Sequence, residues 1–351
     1  DTNIEYIADF VTASQNNKVE DGLSKVKKAF GNMKFDVIIG NPPYQEQIGN
    51  YKYQLHYDFL QLAYQLSSRY VSFIQPLNWL NDPKTLEMVK ENLIELHRFS
   101  DSTKVFEGVS IPSGVGYELI DKEKSVTETR VFEQGIEKDI EVRGNYTMDD
   151  IELMEELNFN NDLHYPNSLA HRVSDYKGHS NKDKSLAVDS DGDIEIWFKK
   201  ESGKNGKNGW MKVKRSDIPE GEIIDQYKVM ISKDGHAERT ETKPENIFNN
   251  RAEVLKPGQI STDRPYLLVA DDERQAKLLA DYANSKFFRR ILHIQDKANS
   301  VPKSSFEDVP DISEWMDAYE TVGGNLDVFL NGHYRLSEKM VADINRRIAE
   351  K

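Results

Sequence analysis

The 351-residue chain carries a formal net charge of −14 and 38% hydrophobic residues, enough apolar sequence for a sizeable core spread over about two domains. It contains no cysteine, which excludes disulfides, thiolate metal ligands and cysteine nucleophiles. Because no run approaches about 18 apolar residues and the first residues lack signal-peptide character, we expect a soluble, cytoplasmic protein without a membrane partner.

The first third of the sequence has the pattern of an α/β fold. Phe35–Ile39 is a short apolar run with β-branched residues, closed by Gly40 and two prolines, as expected of a buried parallel strand that ends in a rigid loop. Apolar spacing predicts a helix around residues 59–66, and a second strand is predicted over 71–74. In such sheets ligands bind beyond the carboxyl ends of the strands, where residues 41–44 lie.

Two further strands are predicted at residues 115–121 and 127–132, and the charged link between them suggests an antiparallel hairpin that closes the sheet. The polar, acidic passage 134–150 has few large apolar residues and is interpreted as a linker. We therefore expect one domain over residues 1–140 and a second over residues 150–351.

The second domain is expected to be of mixed α+β type, because short strand-like runs alternate with Gly, Asn, Asp and Pro turns. The clearest strands are predicted at 194–198 and 227–231. One long helix is predicted over 271–292, with two aspartates suited to its amino end. Residues 199–215 hold seven basic side chains against one acid, a local balance that would favour phosphate groups in an otherwise acidic chain.

The first predicted strand ends in a sequence that can carry chemistry, Asn41-Pro42-Pro43-Tyr44. The exocyclic amine of adenine is a poor nucleophile because its lone pair is delocalised into the ring. Hydrogen bonds accepted from both amine protons, by the Asn41 side-chain oxygen and the Pro42 carbonyl, would favour a tetrahedral nitrogen. Tyr44 would stack on the base, and the prolines would hold the carbonyl and the ring in place. An ordinary turn after a strand is the alternative interpretation.

With this motif the chain resembles the adenine-N6 DNA methyltransferases of restriction–modification systems of type II or IIG, in which Asn-Pro-Pro-Tyr is the catalytic motif. The resemblance continues in chain order through residues 7–10, 57–59, 73–79 and 104–115. It implies a partial Rossmann-like sheet of an S-adenosylmethionine-dependent methyltransferase in residues 1–140.

The resemblance also implies roles for single residues. Asp9 and Phe10 would hold the adenine ring of the S-adenosylmethionine cofactor, and Phe59 would contact the same cofactor. Tyr44 and Phe106 would form the two walls around an extruded base, because the target atom cannot be reached inside a duplex. Core packing is the alternative for the two phenylalanines Phe59 and Phe106, and an ordinary turn is the alternative for Asp9.

The chain departs from the family pattern at its amino end. Members of the family have a glycine-containing loop upstream of the segment that corresponds to Asp9, and this loop approaches the methionine end of the cofactor. The first glycine here is Gly22. We therefore expect this span to lack the cofactor-loop portion and to be inactive alone.

Residues 150–351 resemble the target-recognition domains of large restriction–modification methyltransferases, which implies double-stranded DNA as the partner. A restriction endonuclease domain or subunit is a second partner that the resemblance allows. The candidate phosphate contacts are the basic residues of two segments: Lys199, Lys200, Lys204, Lys207, Lys212, Lys214, Arg215, Lys286, Arg289, Arg290, Lys297 and Lys303. Each could equally be a solvated surface charge.

Other motifs do not reach the pattern that their chemistry needs. Residues 189–193 hint at a calcium loop, but the glycine is misplaced and position 200 is lysine instead of the bidentate glutamate, so a hairpin turn is the better interpretation. The eight histidines form no zinc pattern, and no acid pair followed by a Glu-x-Lys element is present. We expect no metal site and no nuclease in this span.

Three hypotheses remain open. The first is site-specific methylation of adenine in duplex DNA. The second is methylation of RNA or of a protein glutamine, since Asn-Pro-Pro-Tyr also occurs in enzymes that methylate these planar amine nitrogens. The third is a non-catalytic DNA-binding fragment. The large second domain, with its basic and aromatic segments, favours DNA.

Overall fold

A computed structural model describes residues 18–49, 51–111, 113–157, 167–176, 191–198, 209–218, 221–233, 252–295 and 301–348. The chain forms two compact units, Asp1–Met148 and Asp149–Lys351. In the described part of the chain, no helix combines the length and apolar character needed to cross a bilayer.

The first unit mixes helices with strands. Its helices are α1 (Lys18–Phe30), α2 (Leu55–Leu66) and α3 (Pro83–Val89), and at its end begins α4 (Met148–Glu156). Its strands are β1 (Phe35–Gly40), β2 (Glu46–Ile48), β3 (Tyr51–Tyr53), β4 (Ser67–Pro76), β5 (Leu93–Phe99), β6 (Val115–Asp121), β7 (Thr129–Glu133) and β8 (Ile136–Ile140).

Six of these strands form one mixed sheet in the order β1-β4-β6-β5-β7-β8. β1 is parallel to β4 and β5 is parallel to β7, whereas the other neighbours are antiparallel. β2 and β3 pair separately as a two-stranded antiparallel sheet. The prediction of an α/β fold is confirmed as a mixed α/β unit around a central sheet.

The predicted hairpin of residues 115–121 and 127–132 is wrong, although both segments contain strands. β5 lies between β6 and β7, so that His97 pairs with Tyr117 on one side and with Phe132 on the other. The three rings stack across the strands, with centroid distances of 4.2 Å and 4.1 Å. A local turn pattern gives no sign of a third strand that enters from earlier in the sequence.

The passage 134–150, predicted as a linker, contains β8 and the start of α4. Gln134 and Gly135 form the two-residue turn between β7 and β8, and both have positive φ angles, 51° and 82°, as a type I′ hairpin requires. The backbone N–H of Met148 donates to Glu133 at 2.7 Å and so ties the start of α4 to the sheet. The polar composition of this passage fits an edge strand, because β8 ends the sheet order.

β1 is confirmed as a strand but is not buried as predicted. Val37 is 55% exposed and Ile39 is 74% exposed. Val37 and Ile39 lie on the same face of β1, which among the described strands pairs with β4 alone and forms one end of the sheet. Phe35 and Ile38 pack instead against the apolar cluster between α1 and α2.

The second unit contains two three-stranded sheets and a helical part. The strands are β9 (Ile194–Phe198), β10 (Gly209–Val213), β11 (Tyr227–Ser232), β12 (Glu253–Leu255), β13 (Gln259–Ser261) and β14 (Pro265–Ala270). Their orders are β10-β9-β13 and β12-β11-β14. The helices are α5 (Glu273–Asn284), α6 (Lys286–Gln295), α7 (Met316–Val322), α8 (Leu326–His333) and α9 (Glu338–Arg347). The strands predicted at 194–198 and 227–231 are confirmed as β9 and β11.

The single helix predicted over residues 271–292 is two helices, α5 and α6. Asp272 caps α5 by accepting a hydrogen bond from the backbone N–H of Gln275 at 2.8 Å. Ser285 separates the helices, because its hydroxyl donates to the Tyr282 carbonyl at 2.7 Å and accepts from the Phe288 N–H at 3.1 Å. The apolar stripe continues through this break, so the pattern of apolar residues alone gives no sign of it.

Candidate functional site

The candidate site lies at the carboxyl ends of two adjacent parallel strands. The Asn41–Tyr44 loop follows β1 directly, and a short 3₁₀ helix, Leu77–Asn81, follows β4. Gly40 pairs with Phe73, and a Cβ atom at Gly40 would already meet the Phe73 ring at 3.5 Å. Because parallel neighbours end at the same edge of a sheet, the two loops meet there.

The four residues of the loop differ in exposure. Pro42 is buried, whereas Asn41 and Pro43 are exposed at the strand end. Tyr44 is half-buried, and its hydroxyl oxygen forms no hydrogen bond of standard geometry with the described residues. Burial raises the pKa of Tyr44, while the neighbouring Asn41 side chain acts in the opposite direction. The loop therefore presents an accessible amide beside a proline whose position is fixed by packing.

The predicted stacking residues, Tyr44 and Phe106, come together across this site. Their ring centroids lie 6.4 Å apart and their planes are inclined at 57°. Phe106 belongs to the segment between β5 and β6, which Ser102 holds in place. The Ser102 hydroxyl accepts from the Ile111 N–H and donates to the Val109 carbonyl, both at 2.8 Å.

His56 is a residue of this site that sequence reasoning missed. Its imidazole is 0% exposed, with Nδ1 2.7 Å from the Tyr44 carbonyl oxygen and Nε2 2.9 Å from Asn78 Oδ1. Burial lowers the pKa of His56, and its two hydrogen bonds act in the opposite direction. The available signal was its position directly before the 57–59 segment, at the start of the helix that follows the motif.

The residues predicted to bind the cofactor are not assembled by the described part of the chain. Asp9 and Phe10 lie outside the described residues. Phe59 is half-buried on α2 and packs against the apolar cluster that includes Val19, Leu62 and Leu66. Its contact with a cofactor stays a prediction.

The candidate phosphate contacts of the second unit fall into distinct environments. Lys212 and Lys214 are exposed on or next to β10. Arg215 Nη1 donates to Asp225 Oδ1 at 2.7 Å, and Lys303 forms an ion pair with Asp175. Lys286 is half-buried and its Nζ donates to Asn345 at 3.2 Å. The remaining candidates that lie outside the described residues are Lys199, Lys200, Lys204, Lys207 and Lys297.

Arg289 and Arg290 correct the prediction of phosphate contacts on α6. Arg290 is 0% exposed and forms ion pairs with Asp150 at 2.7 Å and Asp343 at 3.0 Å. Arg289 is 1% exposed, and its Nε donates to the Ser285 carbonyl at 3.2 Å. Neither guanidinium reaches the surface, so the prediction that they contact phosphates is wrong.

Metal ligands do not cluster in the part of the chain that the structure describes, where no group of three His, Asp or Glu side chains could hold an ion. Residues 189 and 190 of the calcium-like segment lie outside the described residues. Asp193 from that segment accepts a hydrogen bond from the Arg215 backbone N–H at 2.9 Å.

The loop after β1, its exposed amide and the facing aromatic ring lie in a segment with a clear relationship to known proteins. Residues 1–106 match the Eco57I restriction-modification methylase family. The resemblance to restriction–modification methyltransferases is confirmed for these residues. A protein of Mycoplasma pneumoniae (strain ATCC 29342 / M129 / Subtype 1), named an uncharacterized adenine-specific methylase, is 35% identical over 26% of this chain and 24% of its own length.

Three solved structures are similar to most of this chain. The type IIG restriction endonuclease BpuSI is 14% identical, with 93% of this chain and 48% of that chain covered and a TM-score of 0.34. The type IIL restriction-modification enzyme MmeI in complex with DNA is 11% identical, with coverage of 87% and 57% and a TM-score of 0.37. The DrdV–DNA complex is 11% identical, with coverage of 85% and 45% and a TM-score of 0.36.

The scores of these three structures are too low to carry an argument about this chain. The relationship of residues 1–106, the Eco57I methylase segment, therefore rests on the family match and on the curated relative. The chain matches about a quarter of that relative and spans about half of each solved structure.

Proposed function

We propose that this protein is a site-specific DNA methyltransferase that transfers a methyl group from S-adenosylmethionine to adenine N6 in duplex DNA after base flipping. The observation that carries the proposal is the Asn41–Tyr44 loop, which ends β1 inside the Eco57I methylase segment with Asn41 exposed and Phe106 beside Tyr44. The central mixed sheet would be part of a Rossmann-like methyltransferase sheet, and residues 150–351 would form the target-recognition domain.

The acceptor side of the reaction follows from the loop itself. The Asn41 side-chain oxygen and the Pro42 carbonyl would accept hydrogen bonds from the two amine protons and direct the nitrogen lone pair out of the ring plane. Pro42 is buried, so its carbonyl is held without further ordering on binding. Tyr44 and Phe106 would stack on the extruded base, because an adenine inside a duplex keeps this nitrogen out of reach.

The methyl donor fits the described residues only in part. S-adenosylmethionine, when bound, supplies a methyl group that is already activated as a sulfonium, so the reaction needs no metal. Of the residues that the family resemblance assigns to it, Phe59 packs in the cluster between α1 and α2, and Asp9 and Phe10 lie outside the described residues. The described residues therefore support the acceptor half of the reaction.

DNA is the favoured substrate because the matched family and the curated relative are described as methylases of this kind. The family is described as a restriction-modification methylase, and the curated relative is named an adenine-specific methylase. A restriction endonuclease domain or subunit would be the natural partner of such a modification enzyme, and the cytoplasm would be the compartment where both meet DNA. Exposed Lys212 and Lys214 would contribute phosphate contacts from the second unit.

The alternatives are methylation of RNA or of a protein glutamine, and DNA binding without catalysis. The two methylation alternatives share a planar amine nitrogen as methyl acceptor with the main proposal. The third shares only the DNA-binding surface. Methyl transfer from labelled S-adenosylmethionine by the full-length protein to duplex DNA, RNA and protein separates them. The labelled DNA is digested to nucleosides to identify N6-methyladenine.

The decisive variant is Asn41→Ala, with Gln45→Ala as a matched control at an exposed position next to the motif. Loss of one preorganised acceptor is expected to lower the rate by about 10²- to 10³-fold and to leave DNA binding unchanged. Label in RNA or protein but not in DNA would overturn the substrate. Full activity of Asn41→Ala would overturn the mechanism, and DNA binding without cofactor binding would favour the non-catalytic alternative.

A further inference from the structure

We propose that His56 is a positioning residue for methyl transfer, which fixes the main-chain carbonyl of Tyr44 and through it the direction of the Tyr44 ring. This inference rests on the proposed function and assigns the role to a histidine outside the Asn-Pro-Pro-Tyr motif. His56 does not reach the acceptor amine in this argument. It acts through the loop that does.

Three segments of the first unit converge on this imidazole. His56 lies in the first turn of α2, Tyr44 ends the loop after β1, and Asn78 belongs to the 3₁₀ helix after β4. Both ring nitrogens have a partner, at 2.7 Å and 2.9 Å. The imidazole is therefore tied at once to the ends of both parallel strands that form the site.

The ring is also held by packing. Tyr57 lies against it with a centroid distance of 4.6 Å, and the Tyr44 ring meets it edge-on at 6.2 Å. The Tyr57 hydroxyl donates to the Asn78 backbone carbonyl at 3.1 Å, which ties the same two segments a second time. A fully buried imidazole with both nitrogens engaged and aromatic contacts on its surface has no room to turn.

The direction of the hydrogen bonds follows from the chemistry of the partners. A main-chain carbonyl can only accept, so His56 Nδ1 must carry a proton. The lowered pKa of the buried ring favours the neutral form, in which Nε2 accepts. In the structure Asn78 presents Oδ1 to Nε2, and its Nδ2 donates to Gln54 Oε1 at 3.4 Å. An amide oxygen can only accept, so a neutral ring protonated on Nδ1 requires the Asn78 amide to be turned until its NH₂ group faces Nε2.

A hydrogen bond to the Tyr44 carbonyl restrains the part of the loop that the two prolines do not. Pro42 and Pro43 have φ fixed by their rings, but Tyr44 carries no such restraint. The peptide plane after Tyr44 would otherwise be set only by the chain beyond it. The bond from His56 holds that plane and so holds the backbone from which the Tyr44 ring extends towards Phe106.

Substitutions at position 56 separate positioning from simple packing. His56→Asn places an amide N–H close to the Nδ1 position and can still donate to Tyr44. His56→Gln places its amide close to the Nε2 position, and His56→Leu removes both contacts. We expect kcat for methyl transfer to fall by about 10- to 100-fold in the Gln and Leu variants, with KM for DNA little changed, because misplacement of a reacting group acts on the chemical step. His56→Asn is expected to stay within a few-fold of the unsubstituted protein.

Gln61→Leu serves as the matched control. Gln61 is buried on the same helix, and its amide donates to the Thr85 hydroxyl at 3.0 Å. It should lose folding stability as His56→Leu does, but keep kcat. Equal kcat in the Asn and Gln variants at position 56, or a loss of kcat in Gln61→Leu as large as in His56→Leu, would overturn the positioning role.

A second measurement needs no methyl transfer. Long-range ¹H–¹⁵N NMR spectra of the imidazole in this chain report which ring nitrogen carries the proton. A proton on Nδ1 of His56 is the expected result, and a ring with its only proton on Nε2 would overturn the proposal. If the unsubstituted protein methylates no substrate, the proposed function fails, while this spectrum still decides the contact with Tyr44.

Discussion

The rings of Tyr44 and Phe106 touch each other across the candidate site, with centroids 6.4 Å apart and planes inclined at 57°. A flat base between two rings needs two contacts of about 3.5 Å each and nearly parallel planes. The observed pair is therefore slightly too close and too tilted to enclose a base. In the proposed reaction, entry of a base would require the segment that carries Phe106 to shift outward.

Removing the Phe106 ring should weaken capture of the extruded base. One base–aromatic stack contributes about 1–3 kcal/mol, so Phe106→Ala should raise KM for duplex DNA by roughly 5- to 150-fold. Phe106→Tyr keeps the ring and is the control. Fluorescence of 2-aminopurine at the target position measures the same step directly. Unchanged fluorescence in the alanine variant would contradict a stacking role for Phe106.

Arg290 and Asp150 are expected to stabilise the second unit and to leave DNA affinity unaffected. Both side chains are buried, and Asp343 shares the guanidinium. Arg290→Ala removes the ion pair of buried Asp150 and one of the three cations around Asp343, which also pairs with Arg346 and Arg347, and should lower the free energy of unfolding by about 3–5 kcal/mol. Arg346→Ala, which removes a half-exposed partner of the same Asp343, should cost less than about 1 kcal/mol. Urea denaturation measures both, and equal losses would refute the assignment.

Glu118 should make the stability of the first unit depend on pH. Burial raises the pKa of this carboxyl well above its usual value, although Gln75 donates to it at 2.7 Å. The contribution of Glu118 to stability is fully present below the unfolded-state pKa of about 4.5 and is lost as the pH rises through the folded-state pKa. The free energy of unfolding should therefore fall as the pH rises above about 4.5 towards the raised folded-state pKa.

Glu118→Gln should remove this dependence, because the amide oxygen can still accept from Gln75 and does not ionise. The exposed Glu123→Gln is the control and should keep the slope of the unsubstituted protein. Denaturation midpoints at several pH values provide the measurement. If Glu118→Gln loses as much stability with rising pH as the unsubstituted protein, Glu118 is not the cause of the pH dependence.

Lys212 and Arg215 should differ in their contribution to DNA binding. Lys212 is exposed, whereas the Arg215 guanidinium is engaged by Asp225. If Lys212 contacts a phosphate, Lys212→Ala should reduce the slope of log affinity against log salt by about 0.9. Arg215→Ala should leave that slope unchanged. Fluorescence anisotropy over a range of salt concentrations tests both, and an unaltered slope for Lys212→Ala would place the DNA contact elsewhere.

Local patterns were sufficient for some features of the fold and the site. The run Phe35–Ile39 and the prolines after it predict a strand that ends in a rigid loop, because both features depend on neighbouring residues. Asp272 was predicted at the start of a helix for the same reason. The ordered motifs also indicated that Phe106 would lie near Tyr44, which the structure shows.

Features that depend on residues far apart in the sequence could not be predicted from local patterns. Arg290 has the composition of a surface residue, and only Asp150 and Asp343, which come from other helices, explain its burial. Apart from its position directly before residues 57–59, His56 has no local feature that distinguishes it from a core histidine until Tyr44 and Asn78 are placed around it. The break at Ser285 is set by hydrogen bonds of one side chain within a continuous apolar stripe.

The place of β5 in the sheet also determines when the first unit can fold. β5 leaves the ribosome before β6 and β7, the two strands that hydrogen-bond to its two edges. Its backbone groups thus gain their sheet partners only after residue 133 has been synthesised. A central strand that pairs only with strands synthesised later slows folding. Until they are made, its edges can pair with other chains. Nascent chains that end before β7 therefore leave one edge of β5 without its strand partner.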